Sequence, residues 1–415
     1  MQTINSSFQP AVNSAEGRCP VEHSPVSHKK TRLQELGGPA FECDAGGTWH
    51  IRNFELTRSI LRNNNTCQAG FKAELFAQMP HMIREPILYQ DGKVHHEQRR
   101  QTARFFAPRT VSLKYRELME RLADRLIARL RSAGRADLSR LAMEMAVGVA
   151  AQVVGLTNSR LPGMDARLAA FFKRKIEPLG WRPRALWHYI GNQRSILTFF
   201  LLDVQPAIKV RRRQPREDLI SHLLAQGYNG MEILTECVTF AAAGMVTTRE
   251  FISIAAWHLM EQPSLRVRYL TAPEEERYAI LHEILRLEPV VGHIYRRATA
   301  DLLLDHHGQS ILIPQGSLID LHIHMSNTDG DIVGEHALQL CPARKLAGER
   351  IPAELMSFGD GAHRCPGSYL AIQETDTLLT RLLALADLSI ERKPGMGWND
   401  ITAGYELREF IVTLK

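Results

Sequence analysis

The sequence lacks an apolar run long enough to cross a membrane. A spanning helix needs about 20 apolar residues, whereas Leu141–Leu156 is shorter and contains Glu144 and Gln152, which predicts a buried core helix. The first 35 residues are polar and also lack the apolar core of a signal peptide. We therefore predict a flexible N-terminal tail over residues 1–35 and a single folded domain over residues 36–415, with no transmembrane anchor and a cytoplasmic location.

Cysteine is scarce and charge is nearly balanced. The six cysteines form no C-x-x-C pair, so their spacing suggests neither a zinc site nor a disulfide framework. The 51 basic and 45 acidic residues give a net charge of +6 that is spread along the chain. This balance argues against a nucleic-acid partner and leaves room for a local basic face that binds an acidic protein.

One glycine-rich stretch, Ser357–Glu374, surrounds a single cysteine with three glycines and is followed by an apolar helical run. The glycines Gly359, Gly361 and Gly367 allow the backbone to approach a flat partner. A thiolate placed just before a helix gains from the unpaired N–H groups of the helix N-terminus. Cys365 is therefore a candidate ligand for a metal with an open face.

A second stretch, Met231–Met260, is apolar on most sides and predicts one continuous buried helix. In its middle, Ala243 and Gly244 present a flat surface on which a flat ligand can lie. The hydroxyls of Thr247 and Thr248 follow directly and can bond back to carbonyls one turn earlier, which loosens a helix.

Three basic positions add to this pattern. In the predicted helix from Asp91 to Pro108, His95 and Arg99 are four residues apart and share a face. Taken alone, this segment is more typical of a solvated basic helix. Arg296 lies in a strand-like stretch further along the chain.

The order Phe358-Gly359-x-Gly361-x-His363-x-Cys365-x-Gly367 resembles the haem-binding loop of the cytochrome P450 family. Further motifs agree with that family in the right order, so that the resemblance covers roughly residues 40–415. These are the H-x-x-x-R pair of His95 and Arg99, the Ala243-Gly244 and Thr247-Thr248 pairs, the E-x-x-R pair of Glu283 and Arg286 with Arg344, and Arg296.

The resemblance implies a mainly α fold with a small β portion, in which haem b lies between a long distal helix and the cysteine loop. Cys365 would be the axial iron ligand, and Gly359 and Gly367 would bring N–H groups near its sulfur. Phe358 would pack on the same side of the haem, and Ala243 and Gly244 would form the distal surface. The propionate ligands would be His95, Arg99, Arg296 and His363, with Arg297 as the alternative to Arg296.

The implied function is that of a haem-thiolate monooxygenase of secondary metabolism. It would insert one oxygen atom from O₂ into a small or medium apolar organic substrate. A separate ferredoxin or flavodoxin-like protein would supply electrons, and the enzyme would be a monomer. Thr247 and Thr248 would serve oxygen binding and proton delivery, but Val246 stands where the family usually has an acid. That departure leaves peroxide-driven oxidation, oxidative coupling, or a non-catalytic haem protein as alternatives.

The substrate cannot be read from the sequence, although four segments are expected to line its pocket. The segments are the irregular stretch Thr66–Tyr89, the apolar and basic stretch Arg167–Arg213, Val290–Ile294, and the loop Asn399–Gly404. The stretch Arg167–Arg213 predicts either two core-packed helices with basic residues at their rims or a lid over the substrate channel.

Overall fold

The structure is a computed structural model that describes residues 27–31, 37–71, 84–172, 191, 193–400 and 402–414. It is mainly α-helical with small β-sheets, as the sequence predicts. The longer helices are α1 (Phe54–Arg62), α2 (Gly92–Thr102), α3 (Arg116–Ala133), α4 (Leu138–Val154), α5 (Met164–Phe172), α6 (Gln205–Arg213), α7 (Leu219–Ala225), α8 (Gly230–Phe240), α9 (Thr247–Glu261), α10 (Pro263–Thr271), α11 (Glu274–Leu287) and α12 (Ser368–Leu383).

Short strands form the β portion. They are β1 (Phe41–Cys43), β2 (Thr48–Ile51), β3 (Thr66–Gln68), β4 (Arg135–Asp137), β5 (His293–Ala298), β6 (Leu302–His306), β7 (Gln309–Ile313), β8 (Leu318–His322), β9 (Leu388–Arg392), β10 (Gly395–Asn399), β11 (Gly404–Arg408) and β12 (Ile411–Leu414). The largest sheet has the order β1-β2-β8-β5-β3. Only the β2–β8 pair in it is parallel.

The long apolar stretch forms α8 and α9, joined by a π-helical segment, Ala241–Val246. Asn229 and Glu232 begin α8 with reciprocal side-chain and backbone hydrogen bonds that satisfy its first N–H groups. The segment is helical without a break, as expected, but its hydrogen-bond ladder changes at the Ala-Gly pair. A π-helical turn of this kind is rare and is frequent at functional sites.

Helix α9 lies in the core, where it packs against α4 and α12. Its residues Ile252, Ile254, Ala255 and Ala256 are fully buried, as expected for a helix that is apolar on most sides. Because α12 begins directly after the cysteine loop, this packing ties the loop to the helix that continues the π-helical segment.

The E-x-x-R pair is a buried clasp. Arg286 donates from Nε and Nη2 to the two oxygens of Glu283 at 2.7 and 2.8 Å, and Arg344 Nε donates to Glu283 at 3.1 Å. The backbone N–H of Cys341 gives Glu283 a fourth hydrogen bond, at 2.9 Å. Arg286 also donates to the backbone oxygens of Asn327 and two other residues, so the clasp fixes the chain after β8 to α11.

The predicted N-terminal tail is corrected at its end. Thr31 is buried, and its N–H donates to Glu288 at 3.0 Å. His258 Nε2 reaches the same carboxylate at 2.9 Å, and the N–H of His28 donates to Leu338 O at 3.0 Å. Residues 28–31 are therefore part of the folded body, since they satisfy a buried carboxylate. The rest of the predicted tail lies outside the described residues.

Among the described cysteines, Cys43, Cys67, Cys237 and Cys365 are free. Cys341 is disulfide-bonded, which the cysteine spacing did not predict. Within the described ranges, no helix is both long and apolar enough to span a membrane.

Candidate functional site

The cysteine loop is shaped by two glycines with left-handed backbones. Gly359 has φ +67° and Gly361 has φ +65°. A Cβ on Gly361 would lie 2.3 Å from the backbone oxygen of Leu61, so only glycine fits between this loop and α1. The N–H of Cys365 donates to Phe358 O at 2.8 Å, which closes the loop just before α12 begins.

Cys365 is a free, partly accessible thiol. Burial raises its pKa, and the nearby N–H of Gly367 and the charge of Arg99 oppose that rise. Gly367 is the N-cap of α12, and a Cβ at that position would lie 4.0 Å from the Cys365 sulfur. The sulfur therefore lies where positive charge, such as that of a bound metal ion, would favour its thiolate form.

A buried positive cluster lies beside the loop. His95 stacks on the ring of His363, with centroids 4.1 Å apart, and His363 Nε2 lies 2.9 Å from the carboxylate of Asp91. Burial lowers the pKa of His95 to about 4, so this ring is neutral near pH 7. Two buried nitrogens of the cluster, His95 Nδ1 and Arg296 Nε, have no hydrogen-bond partner. Burial also lowers the pKa of the guanidinium groups of Arg99 and Arg296.

Asp91 was missed by sequence reasoning. It precedes α2 and pairs with His363, and its charge also acts on Arg296. The sequence feature that could have identified Asp91 is its position just before the helix that carries His95. Within the described part of the chain, neither Arg99 nor Arg296 forms an ion pair with a carboxylate.

The π-helical segment presents an open surface. Ala243 is exposed, and a Cβ on Gly244 would meet nothing within 4 Å. Thr247 Oγ1 donates to Ala243 O at 2.6 Å, as its sequence position predicts. Val246 and Thr248, in contrast, are buried. The structure thus places Ala243, Gly244 and Thr247 on the accessible side and Val246 in the core.

Glu374, in α12, is a second residue that sequence reasoning missed. It is buried, its Oε2 has no hydrogen-bond partner, and burial raises its pKa well above the usual carboxyl value, while the nearby hydroxyl of Thr248 opposes that rise. A buried carboxyl group whose neutral form is favoured by burial therefore lies near Thr248. The available signal was an acidic residue within an apolar helical run.

The segments expected to line the substrate pocket are only partly described. Residues 72–83 of the first stretch, residues 173–190 and 192 of the second, and residue 401 lie outside the described residues. Val290 is buried. The Cδ1 atom of Ile294 lies 3.8 Å from the place that a Cβ on Gly359 would take, so this residue borders the cysteine loop.

Basic side chains lie on the surface near the cysteine loop. Arg100, Arg104 and Arg109 are exposed, and Arg100 pairs with Glu97 at 2.8 Å. Arg99 differs from them, since it is partly buried and donates to the backbone oxygen of Arg364.

Comparisons with known proteins agree on one family. A family model described as cytochrome P450 matches residues 278–396. Cytochrome P450 130 of Mycobacterium tuberculosis is 27% identical over 307 residues, covering 72% of this chain and 71% of the relative. Erythromycin C-12 hydroxylase of Saccharopolyspora erythraea is 26% identical and covers 84% and 85%. A solved structure of P450BioI in complex with hexadec-9Z-enoic acid ligated acyl carrier protein has a TM-score of 0.70 at 22% identity, covering 89% and 92%.

The architecture is the cytochrome P450 fold, with a single cysteine loop before α12 and a long helix interrupted by a π-helical segment. The family-model match and the curated relatives support a place for this chain among the cytochrome P450 oxidoreductases, to which it is similar over most of its length.

The family implies a haem cofactor, and the site fits one. The unpartnered nitrogens of His95 and Arg296 suit the carboxylates of an anionic group, and Arg99 adds a second guanidinium without a carboxylate partner among the described residues. Cys365 offers a thiol as a metal ligand, and Ala243 and Gly244 leave room for a flat molecule. Burying the two carboxylates of haem without such partners would be costly.

Proposed function

We propose that this protein is a haem-thiolate monooxygenase that inserts one oxygen atom from O₂ into a small or medium apolar organic substrate. The observation that carries the proposal is the free thiol of Cys365 in a loop that only glycine can form, beside buried nitrogens of His95 and Arg296 that lack hydrogen-bond partners. Haem b, when bound, supplies a redox-active iron whose thiolate ligand favours O–O bond cleavage.

In this proposal the residues of the loop hold the cofactor. Cys365 would hold the haem iron through its thiolate, and the N–H of Gly367 would moderate the charge on its sulfur. His95, Arg99 and Arg296 bind the propionates, to which Arg can offer two parallel donors. His363 supports His95 by stacking against it.

The distal residues orient oxygen and protons. Thr247 is accessible, and its hydroxyl is held by Ala243 O, so its lone pairs face the open side of the segment. Val246 offers no proton. Burial raises the pKa of Glu374 in the core near Thr248, and we propose that Glu374 is a proton source for the distal side, with Thr248 as its contact.

Electrons reach the site from a separate redox partner of the ferredoxin or flavodoxin type. The exposed residues Arg100, Arg104 and Arg109 would attract such an acidic protein. We further propose a monomer with one catalytic domain, which takes up most of the chain. The relatives named erythromycin C-12 hydroxylase and nocardicin C N-oxygenase support a substrate from secondary metabolism.

Peroxide-driven oxidation, or oxidative coupling with little need for protons, is the second candidate. It is favoured by one observation, the buried apolar side chain of Val246 in place of an acid. A non-catalytic haem protein is less well supported, because a protein that only binds haem has no need of an accessible Thr247 hydroxyl.

The test of the thiolate site is a spectrum of the reduced protein with carbon monoxide. The wild type and the exposed-cysteine control Cys43→Ser should both show the strongly red-shifted Soret band of thiolate ligation, and Cys365→His should lose it. An unchanged band in Cys365→His would refute the assignment. Turnover of a probe substrate with reduced ferredoxin, compared with turnover with peroxide, then separates the two catalytic candidates.

A further inference from the structure

Histidines gather at one end of the five-stranded sheet, and none of them is among the residues assigned to haem. The pairing of β5 with β8 places His293 directly opposite His322. His324 follows two residues later, and the parallel pairing of β2 with β8 brings His50 opposite Asp320. The rings are close, with centroid separations of 4.5 Å for His293–His322, 5.1 Å for His293–His324 and 5.8 Å for His322–His324.

Each of three rings uses one nitrogen in a hydrogen bond. His293 Nδ1 lies 2.8 Å from Asp320 Oδ1, and His324 Nδ1 lies 3.1 Å from Gly292 O. His322 Nε2 lies 3.0 Å from His50 Nδ1. Since the carboxylate and carbonyl oxygens can only accept, His293 and His324 must donate from Nδ1, which leaves a lone pair on Nε2 of each ring.

His322 completes the same pattern. If it donates from Nε2 to His50 Nδ1, then His50 can donate from Nε2 to Asp44, whose oxygen lies 3.2 Å away. Each N–H group in this series of hydrogen bonds, from His322 through His50 to Asp44, then has an acceptor. The remaining lone pair of His322 is on Nδ1. Both His322 Nδ1 and His324 Nε2 are buried without any hydrogen-bond partner. Leaving such atoms unpaired costs free energy, so they call for a ligand.

We propose that His293, His322 and His324 bind a divalent transition-metal ion, with zinc as the representative metal. One ligand atom from each residue lies within 4.8 Å of the others, and all three side chains are buried. Three imidazoles with an open fourth position suit zinc. The bonds from the opposite ring nitrogens to Asp320 and Gly292 are the outer contacts that hold metal-binding histidines in place.

Two geometric comparisons bear on this choice of ligands: the spacing that zinc requires, and the state of the other possible ligand set. Nitrogens bound to a tetrahedral zinc at about 2.0–2.1 Å lie about 3.4 Å apart, so the rings need to close by roughly an ångström. The other possible set, His50, Asp320 and His322, has its atoms 3.0–3.3 Å apart, and these atoms already contact one another through one hydrogen bond between the rings and two close approaches to Asp320. The first set is therefore the one that lacks a partner.

The test measures zinc bound to the full-length holoprotein. A chelator first removes metal ions other than the haem iron. The protein is then dialysed against a series of free Zn²⁺ concentrations and analysed for zinc per haem iron. We expect about one zinc per chain. His322→Gln and His324→Gln should each weaken binding by more than about 100-fold, and Asp320→Asn, an outer contact, by about 10–100-fold. His307→Gln changes an exposed histidine of the β6–β7 hairpin and should bind as the wild type does.

Failure of the wild type to retain zinc, or equal binding in the wild type and both glutamine variants, would overturn the proposal. X-ray absorption at the zinc edge of the wild-type protein keeps the proposal testable if a variant does not fold. A shell of three imidazole nitrogens at about 2.0 Å supports it, and a shell without imidazole refutes it.

Discussion

Glu283 offers a sharp test of how the protein maintains its cofactor site. Its carboxylate is almost fully buried and accepts four hydrogen bonds, two from Arg286 and one each from Arg344 and the N–H of Cys341. Replacing it by alanine would leave the fully buried guanidinium of Arg286 without its anion. We therefore expect Glu283→Ala to yield protein that is misfolded or free of haem.

The magnitude follows from the burial of the pair. Removing one partner of a buried ion pair costs about 3–5 kcal/mol, compared with a total stability of about 5–15 kcal/mol. Glu276→Ala is a matched control on the same helix, since Glu276 pairs with Arg268 at 2.6 Å but is about one-third exposed. Pairs of this exposed kind contribute about 0–1 kcal/mol.

The assay is urea unfolding of both variants, followed by far-ultraviolet circular dichroism, together with the ratio of Soret to protein absorbance after purification. Glu283→Ala should lose several kcal/mol or fail to retain haem, while Glu276→Ala should match the wild type. A folded Glu283→Ala holoenzyme that is merely slower would refute the assignment of a structural role.

Two further predictions concern buried carboxyl groups. Burial raises the pKa of Glu236 to about 7 from 4.5 in the unfolded chain, so the stability gained from its protonated form is present below pH 4.5 and is lost as pH rises through 7. The loss is about 3 kcal/mol, and unfolding measured from pH 5 to 8 should show it in the wild type but not in Glu236→Gln; equal slopes would contradict this. Glu374→Gln should lower the amount of product formed per electron consumed. Adding Val246→Asp to that variant should restore part of the lost product. An unchanged ratio in Glu374→Gln would show that protons come by another route.

The fold and the central site are largely predictable because the chemistry fixes short, local patterns. The order of Phe358, the three glycines and Cys365 can be read directly, since Gly361 needs a left-handed backbone and a space too small for a Cβ. The i, i+3 spacing of Glu283 and Arg286 likewise predicts a pair on one helix face.

The remaining features depend on tertiary contacts that no local pattern records. Asp91 pairs with His363 across 272 residues, and Glu374 meets Thr248 only because α9 packs on α12. The histidine site is hidden for the same reason, because His293 and His324 meet through the register of β5 with β8. Cysteine spacing, the usual zinc signal, does not apply there.

The buried position of Val246 changes how the missing acid is to be understood. Along a helix, Ala243 and Thr247 are four residues apart and share a face, whereas Val246 is turned about 100° from Thr247. A carboxyl group at position 246 would begin in the core, where burial favours its protonated form. Glu374 already has comparable surroundings, since it is buried, lies near Thr248 and has a pKa that burial raises. If the proposed role of Glu374 is correct, a proton source near the distal segment does not require an acid at position 246, and the coupling measurement on Glu374→Gln tests that role.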